Sequence, residues 1–192
     1  PRILSQQQQK ALKALIMALK SDSFSAVLLH GVTSSGKTEV YLGLIERALQ
    51  LGKTALVLMP EIALTPGVAL EFRARLGNTV AILHSGLSDG ERHDEWWRIK
   101  RRDAQVVIGT RSAVFAPLEN LGLVVVDEEH DPSYKQQESP RYHGRDTAIV
   151  RGKQAGAVVV LGAATPSIET FHHSQNGKYG YLQMSVRIHS RP

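Results

Sequence analysis

The sequence predicts an α/β domain in which helices cover both faces of a mostly parallel central sheet. Short apolar runs alternate with helical segments along the chain, and this alternation is typical of a parallel sheet. The runs are almost continuously apolar, as strands buried on both faces are. The 192 residues suffice for one such domain with a full core.

The apolar runs and the capping signals place the individual elements. Six strands are predicted, at Ala26–Leu29, Ala55–Met59, Val80–Leu83, Val106–Ile108, Leu123–Val126 and Val158–Leu161. Helices are predicted at Gln6–Lys20, Thr38–Gln50 and Pro66–Leu76, and a further helix after the capping box of Ser88 and Glu91. The segment His130–Arg145 is rich in Pro, Gly, Ser and Gln and is expected to be irregular.

Composition narrows the function classes. No apolar run approaches the roughly 20 residues of a membrane span, and no signal peptide pattern is present. The chain has no cysteine, which excludes disulfides and thiolate zinc sites and fits a cytoplasmic protein. Because no apolar run is long enough to span a membrane, no membrane partner is expected. Its net charge of +5 favours a polyanionic partner such as nucleic acid. The length suits a single domain spanning 1–192. Because the chain starts at Pro1 without methionine, we also expect it to be excised from a longer protein.

A phosphate-binding loop follows the first strand. The segment from Gly31 to Thr38 fits G-x-x-x-x-G-K-[ST], with a buried strand before it and a helix after it. Lys37 is expected to meet the β- and γ-phosphates of ATP, and the Thr38 hydroxyl to ligate Mg²⁺. Backbone N–H groups of the loop are expected to face the phosphates. The nucleotide-binding residues predicted here are Gly31, Val32, Thr33, Ser34, Ser35, Gly36, Lys37 and Thr38.

An acidic motif, Asp127-Glu128-Glu129-His130, ends the fifth apolar run. A carboxylate at the end of such a strand lies beside the phosphate loop, so Asp127 is predicted to hold Mg²⁺ through water. Glu128 is predicted to polarise the attacking water as general base. His130 suits a polar link between the nucleotide and neighbouring elements, and Glu129 is expected to be a surface acid. Lys37, Asp127 and Glu128 are the predicted catalytic residues.

The acidic motif also separates the enzyme classes that use phosphate loops. A GTPase should carry N-K-x-D, which is absent, and D-E-x-H favours a helicase over a small-molecule kinase. A nucleotide- and DNA-binding module that does not turn over on its own remains the alternative.

Longer segments then reveal a family resemblance. They are G-V-T-x-S-G-K-T-E-V-Y, M-P-E-I-x-L-T-P, L-H-S-G-L-S, I-G-T-R-S-A, D-E-E-H-D-x-S-Y-K-Q-Q-E, R-Y-H-x-R-D and G-x-A-T-P-S. From residue 4 to the end, the chain resembles the first motor lobe of the primosomal replication-restart helicases of superfamily 2. The resemblance implies a RecA-like, three-layer P-loop NTPase fold and a second motor lobe in the full-length chain.

The resemblance also implies an activity and partners. ATP hydrolysis would drive 3′-to-5′ unwinding of single-stranded and forked DNA at stalled or repaired replication forks in the bacterial cytoplasm. The enzyme would help reload the replicative helicase together with primosome and replication proteins.

Site residues carry over from the same resemblance. Gln8 would recognise adenine, although Ser5 and Gln8 equally fit a helix capping box. Thr65, Thr110 and Arg111 would contact the DNA backbone, and a plain strand-end turn is the alternative. His130, Arg141, Tyr142 and Thr165 complete the residues expected to bind DNA or couple it to ATP turnover. Tyr142 lies in the family's aromatic-rich loop, 131–146, where it is a stacking candidate.

Three positions depart from the family pattern. Ser34 replaces a glycine of the phosphate loop, where a positive φ would strain it. Pro140 stands where a tryptophan is common, which removes a stacking residue from the aromatic-rich loop. Ala163 replaces a serine, which removes one hydroxyl while Thr165 remains.

A basic run follows two tryptophans, Trp96 and Trp97, and could grip single-stranded DNA. The favoured interpretation is a helix whose tryptophans pack inward and whose last turn is cationic.

Overall fold

The computed structural model describes residues 4–32 and 35–186. In these residues a seven-stranded sheet, parallel throughout, has the order β3-β4-β2-β5-β8-β1-β9. Its strands are β1 Ser25–Gly31, β2 Thr54–Leu58, β3 Val80–Leu83, β4 Val106–Gly109, β5 Leu121–Val126, β8 Val158–Ala163 and β9 Gly180–Met184. A two-stranded antiparallel ribbon is formed by β6 Lys135–Gln136 and β7 Tyr142–His143. The predicted α/β class with a parallel sheet is confirmed.

Helices flank the sheet on both faces. They are α1 Gln6–Lys20, α2 Lys37–Gln50, α3 Pro66–Leu76, α4 Asp89–Lys100, α5 Gly144–Ala155 and α6 Ile168–Gln175. One core cluster joins Leu15 of α1, Tyr41 of α2 and Phe72 of α3 to one face of the sheet. A second cluster joins Ile99 of α4 and Ala148 of α5 to the other face. The layers are therefore helix, sheet and helix, and none of the helices in the described residues is long and apolar enough to cross a membrane.

The strands are continuously apolar because successive side chains point into different clusters. Val57 and Val125 belong to the first cluster, whereas Leu56 and Val124 belong to the second. All six predicted strands and four predicted helices are present, with ends shifted by a few residues. The sequence did not predict α5, α6 or β9. The polar helix α5 gives little amphipathic signal, and β9 is an edge strand whose side chains are largely exposed.

The interpretation of the two tryptophans is only half right. The helix is present, but Trp96 and Trp97 are each 40% exposed and pack edge to face on one another, with ring centroids 5.2 Å apart. Ile99 is the residue that α4 buries. Trp97, two residues before Ile99, lies on nearly the opposite side of the helix, whereas Trp96 shares the Ile99 side and still remains exposed.

The site is positioned by where the strands end. In a sheet with all strands parallel, every carboxyl end lies at one edge, where ligands bind in open α/β folds. Strand β8 lies between β5 and β1, and its Gly162 pairs in register with Leu29 of β1. The phosphate loop after β1 and the acidic motif after β5 are thus separated by the width of one strand.

Close packing of α5 on the sheet gives a test of the fold. A Cβ on Gly152 would lie 2.3 Å from a methyl of Val159 in β8. Gly152→Ala should therefore lower the free energy of unfolding by roughly 1–3 kcal/mol, measured by urea denaturation. Gly90 in α4 has nothing within 4 Å of the same position. Gly90→Ala is the control and should be neutral or stabilising by up to about 1 kcal/mol. Equal stability of the two variants would contradict the packing.

Candidate functional site

The phosphate loop turns sharply between β1 and α2. Gly36 caps α2 with φ of 77° and ψ of 35°, a left-handed conformation that glycine adopts without a steric penalty. The N–H of Ser35 donates to the Val32 carbonyl oxygen at 3.0 Å, and the N–H of Val32 donates to Met184 of β9 at 3.1 Å. The first turn of α2 thereby offers the N–H groups and the positive dipole end that bind anions. The predictions for Thr33 and Ser34 lie outside the described residues.

Lys37 lies buried in the first turn of α2 and faces the acidic motif. Its Nζ donates to the Gly31 carbonyl oxygen at 2.9 Å and lies 3.3 Å from Oε1 of Glu128. The structure therefore brings together the predicted phosphate-binding lysine and the predicted general base, which are far apart in the sequence.

Asp127 is held by Tyr41, a residue that received no role from the sequence. The buried Tyr41 hydroxyl donates to Oδ1 of Asp127 at 2.8 Å. A Cβ on Gly162 would lie 1.8 Å from that hydroxyl, so only glycine leaves room for this contact. Burial raises the pKa of Asp127, and the hydrogen bond from Tyr41 partly opposes that rise. Burial and the nearby Asp127 charge raise the pKa of Tyr41, which keeps its hydroxyl protonated as a donor.

A second buried tyrosine fixes the main chain of Asp127. The Tyr134 hydroxyl, in the segment that follows the acidic motif, donates to the Asp127 carbonyl oxygen at 2.6 Å. The N–H of Asp127 donates to Leu58 of β2 at 2.9 Å. Tyr41 and Tyr134 both lie in the segments that carry the family resemblance. Those segments could have drawn attention to the two tyrosines, but they do not predict the contacts with Asp127.

Glu128 has a left-handed backbone, with φ of 44°. Such a conformation costs about 1–3 kcal/mol for most residues and persists only where the surroundings enforce it. Its Oε1 faces Lys37, and its Oε2 accepts from the N–H of Ala164 at 3.4 Å. The carboxylate thus lies between the phosphate loop and the end of β8.

The prediction that Glu129 is a surface acid is wrong. Its side chain is completely buried and accepts hydrogen bonds from Ser167, Thr170 and Arg145. These donors come from the β8–α6 junction and the start of α5, which the sequence analysis did not place next to the acidic motif.

His130 links the acidic motif to the end of β8. Its Nδ1 lies 3.8 Å from Oε2 of Glu128, and its Nε2 lies 3.5 Å from Oγ1 of Thr165. Ala163, which stands where the family has a serine, is fully buried, and the hydroxyl near His130 belongs to Thr165. His130 thus lies between the acidic motif and the end of β8, while its expected link to the nucleotide stays a prediction.

The capping box of α1 is present, and it includes the residue proposed for adenine recognition. Oε1 of Gln8 accepts from the N–H of Ser5 at 2.7 Å, and Nε2 donates to the Gly36 carbonyl oxygen at 3.1 Å. Gln8 is only 1% exposed. The capping interpretation is confirmed, with the added finding that Gln8 ties α1 to the phosphate loop, while its contact with adenine stays a prediction.

The residues expected to contact the DNA backbone differ in accessibility. Thr65 is exposed and caps α3, with its hydroxyl accepting from the N–H of Val68 at 3.3 Å. Thr110 is only 5% exposed, so the expectation that it presents a hydroxyl to DNA is not met in this conformation. Its N–H donates to Leu83 of β3 at 3.0 Å, which matches the strand-end turn that was the alternative.

Arg111 organises the segment that contains the aromatic-rich loop. Its Nη1 donates to the Ser133 and Lys135 carbonyl oxygens, both at 2.9 Å, so this nitrogen is engaged within the protein. The guanidinium also lies 5.9 Å from the ring centre of Tyr142. Tyr142 is half-buried and packs edge to face on Phe115 at 5.0 Å. Arg141 and Pro140 are exposed in the turn between β6 and β7.

The described residues contain no cluster of three or more His, Cys, Asp or Glu side chains that could hold a metal ion alone. Thr38 and Asp127 instead offer a hydroxyl and a carboxylate, both oxygen donors, at the phosphate loop. Mg²⁺ in nucleotide sites is usually held by one or two protein oxygens together with water and phosphate oxygens. The donor set therefore fits Mg²⁺ bound together with a nucleotide.

Comparisons with known proteins identify the family of this chain. The sequence model of the family "DEAD/DEAH box helicase" matches residues 5–173. The chain is 49% identical over 191 residues to the replication restart protein PriA of Bacillus subtilis, covering 100% of this chain and 24% of the relative. It is 50% identical over 179 residues to PriA of Synechocystis, covering 91% and 22%. The chain thus spans about a quarter of the length of the curated relatives that it matches.

A solved structure shows the same fold. RecG bound to a three-way DNA junction superposes with a TM-score of 0.73 at 20% identity, covering 100% of this chain and 25% of RecG. At this identity the likeness concerns the fold alone.

The contact between Tyr41 and Asp127 can be tested directly. Tyr41→Phe leaves a partly buried carboxylate without its hydroxyl donor and should cost about 1–3 kcal/mol of unfolding free energy at neutral pH in metal-free buffer. The substitution should raise the folded-state pKa of Asp127 further, because a contact that lowers it is lost. Because the folded pKa of Asp127 is raised, ionising it costs stability as the pH rises, and the cost is larger in the variant, whose pKa is higher still. The difference between wild type and variant should therefore shrink with decreasing pH, and a pH-independent difference would contradict the assignment.

Proposed function

Because the chain belongs to the DEAD/DEAH box helicase family, we propose that it is the first, ATP-binding motor lobe of a longer DNA helicase. The observation that carries this proposal is the meeting of Lys37, Asp127 and Glu128 at the carboxyl edge of the sheet, with Lys37 3.3 Å from Glu128. A phosphate loop, a metal-binding aspartate and a base in one place are the parts that nucleotide hydrolysis requires.

The phosphates of ATP bind to the loop from Gly31 to Thr38. The N–H groups at the start of α2 and the Lys37 ammonium compensate their charge, and Thr38 and Asp127 supply the protein oxygens for Mg²⁺. Bound Mg²⁺ neutralises charge on the β- and γ-phosphates. Gln8 of α1 donates to the Gly36 carbonyl oxygen and so ties the phosphate loop to α1. It is also the candidate for contact with adenine.

Glu128 is the base of the proposed reaction. Its carboxylate is paired with Lys37, and a bound polyphosphate would compete for the same ammonium. Glu128 is then free to accept a proton from water as the water oxygen attacks the γ-phosphorus and the bond to the ADP oxygen breaks. Asp127 is less suited to this role because its carboxylate accepts from the Tyr41 hydroxyl and would also hold Mg²⁺.

The similarity to the replication restart protein PriA supports a role on DNA. We infer that the full-length protein couples ATP hydrolysis to 3′-to-5′ unwinding of single-stranded and forked DNA at stalled or repaired replication forks. It would act in the bacterial cytoplasm and help reload the replicative helicase with primosome and replication proteins. The net charge of +5 favours a polyanionic partner. The exposed residues Thr65, Arg141 and Thr165, with the half-buried Tyr142, are the proposed contacts or coupling residues.

A second function is favoured by one observation. The candidate site lies at the edge of the sheet, where the Glu128 side chain is still one-third exposed. Phosphoryl-transfer sites of this type are completed by an arginine from another domain or subunit. By itself the lobe would then act as a nucleotide- and DNA-binding module without turnover.

Substitutions in the full-length parent protein separate binding from chemistry. Glu128→Gln keeps the size of the side chain but loses the base, so hydrolysis should fall by about 10²-fold or more while Mg-ATP binding is retained. Lys37→Ala is the control, and it should lose both binding and hydrolysis. Phosphate release and titration with a fluorescent ATP analogue measure the two properties. Wild-type turnover by Glu128→Gln would show that the base lies elsewhere.

The isolated lobe provides a further prediction. Residues 1–192 should fold alone, bind nucleotide weakly and show little DNA-stimulated hydrolysis, because motor function requires closure of two lobes. DNA binding should be weak and should decrease steeply with salt. An ATPase and strand-separation assay on the purified fragment tests this. Robust unwinding by these residues would contradict the two-lobe proposal.

A further inference from the structure

The second glutamate of the acidic motif, Glu129, is a completely buried carboxylate outside the reaction described above. It accepts from the N–H of Ser167 at 2.6 Å, from Oγ of Ser167 at 3.0 Å and from Oγ1 of Thr170 at 2.9 Å. It also pairs with Nη1 of Arg145 at 3.0 Å. Four donors satisfy both oxygens, which is the condition under which a buried charge is tolerated.

The main chain of Glu129 is fixed to the same region as its side chain. Its N–H donates to the Gly162 carbonyl oxygen of β8 at 3.0 Å, while its carboxylate caps the start of α6 through Ser167 and Thr170. Both ends of Glu129 are therefore attached to the segment Gly162–Thr170. Arg145 attaches α5 to the same segment, because it donates both to Glu129 and to Oγ of Ser167, the latter at 2.9 Å.

This double attachment accounts for the conformation of Glu128. On one side, the N–H of Asp127 is bonded to β2, and on the other the N–H of Glu129 is bonded to β8. Glu128 connects these two fixed points with φ of 44°. Nothing in the contacts of the Glu128 side chain requires a left-handed backbone, so the strain is imposed by its neighbours.

The consequence is a fixed direction for the Glu128 carboxylate. Its Oε2 accepts from the N–H of Ala164, which belongs to the same segment that holds Glu129. Glu128 and Glu129 are thus both hydrogen-bonded to the segment Gly162–Thr170, and Oε1 of Glu128 faces Lys37. A small rotation of this segment would move the Glu128 carboxylate relative to the phosphate loop.

We propose that Glu129 is a positioning residue for Glu128: by fastening the acidic motif to the β8–α6 junction and Arg145, it holds the base in the left-handed conformation that faces the phosphate loop. This inference rests on the proposed function, because it takes Glu128 as the base. An apolar side chain would fill the same space with less desolvation, so packing alone does not explain a charged residue here.

The test measures ATP hydrolysis by the full-length parent protein. Glu129→Gln keeps the size of the side chain but weakens the attachment to Arg145. We expect kcat to fall by about tenfold or more, because small misplacements of a reacting group have large effects on rate. KM and Mg-ATP affinity should stay within about twofold, since the phosphate loop is not altered. Unchanged kcat at a temperature where the variant is folded would overturn the proposal.

Two controls separate positioning from stability. Ile99→Ala weakens the packing of α4 on the sheet without touching the acidic motif, α5 or the β8–α6 junction, so at equal loss of unfolding free energy it should keep its kcat. Ser167→Ala removes one hydroxyl donor to Glu129 and should lower kcat in the same direction but less, and it serves if Glu129→Gln does not fold. Equal loss of kcat in Ile99→Ala and Glu129→Gln would overturn the proposal and assign Glu129 to stability alone.

A double substitution distinguishes this inference from the proposed function. If Glu129 acts through Glu128, adding Glu129→Gln to Glu128→Gln should lower kcat no further. A further tenfold loss in the double variant would overturn positioning through Glu128. Wild-type turnover by Glu128→Gln would instead refute the proposed function. Turnover lost in Glu128→Gln but retained in Glu129→Gln would refute only the present inference.

Discussion

The parallel pairing of β8 between β5 and β1 is the constraint on which the candidate site depends. It separates the phosphate loop from the acidic motif by one strand and places Gly162 between them. Because glycine has no side chain, the Tyr41 hydroxyl can cross this gap and reach Asp127 at 2.8 Å. The same strand supplies the carbonyl oxygen that accepts from the N–H of Glu129, so β8 affects both Asp127 and Glu129 of the acidic motif.

Buried polar groups give this region its geometry. Asp127 is partly buried and Glu129 completely buried, and each is matched by donors from elements distant in the sequence. Such contacts contribute little net stability compared with apolar packing, but an unmatched partner is costly, so few alternative arrangements are accessible. The strained backbone of Glu128 is consistent with a site in which neighbouring hydrogen bonds determine the conformation.

The sequence predicted the strands well because strands buried on both faces leave uninterrupted apolar runs. It also predicted α1 from apolar residues at helical spacing and the start of α4 from its capping box, which are local signals. It missed α5, whose polar sequence carries little periodicity, and β9, which forms at the sheet edge by pairing with β1. Both elements depend on contacts with residues far away in the chain.

For the candidate site, the sequence by itself determined which chemical groups are present: a phosphate loop, its lysine, and an aspartate and glutamate at a strand end. These follow from short motifs, because each needs only its own residue types at fixed spacing. Only the tertiary structure decided that Glu129 is buried, that Tyr41 holds Asp127, and that Arg111 is engaged by a neighbouring segment. The physical reason is that burial and hydrogen bonding are set by the partner across the fold, and Tyr41 and Asp127 lie 86 residues apart.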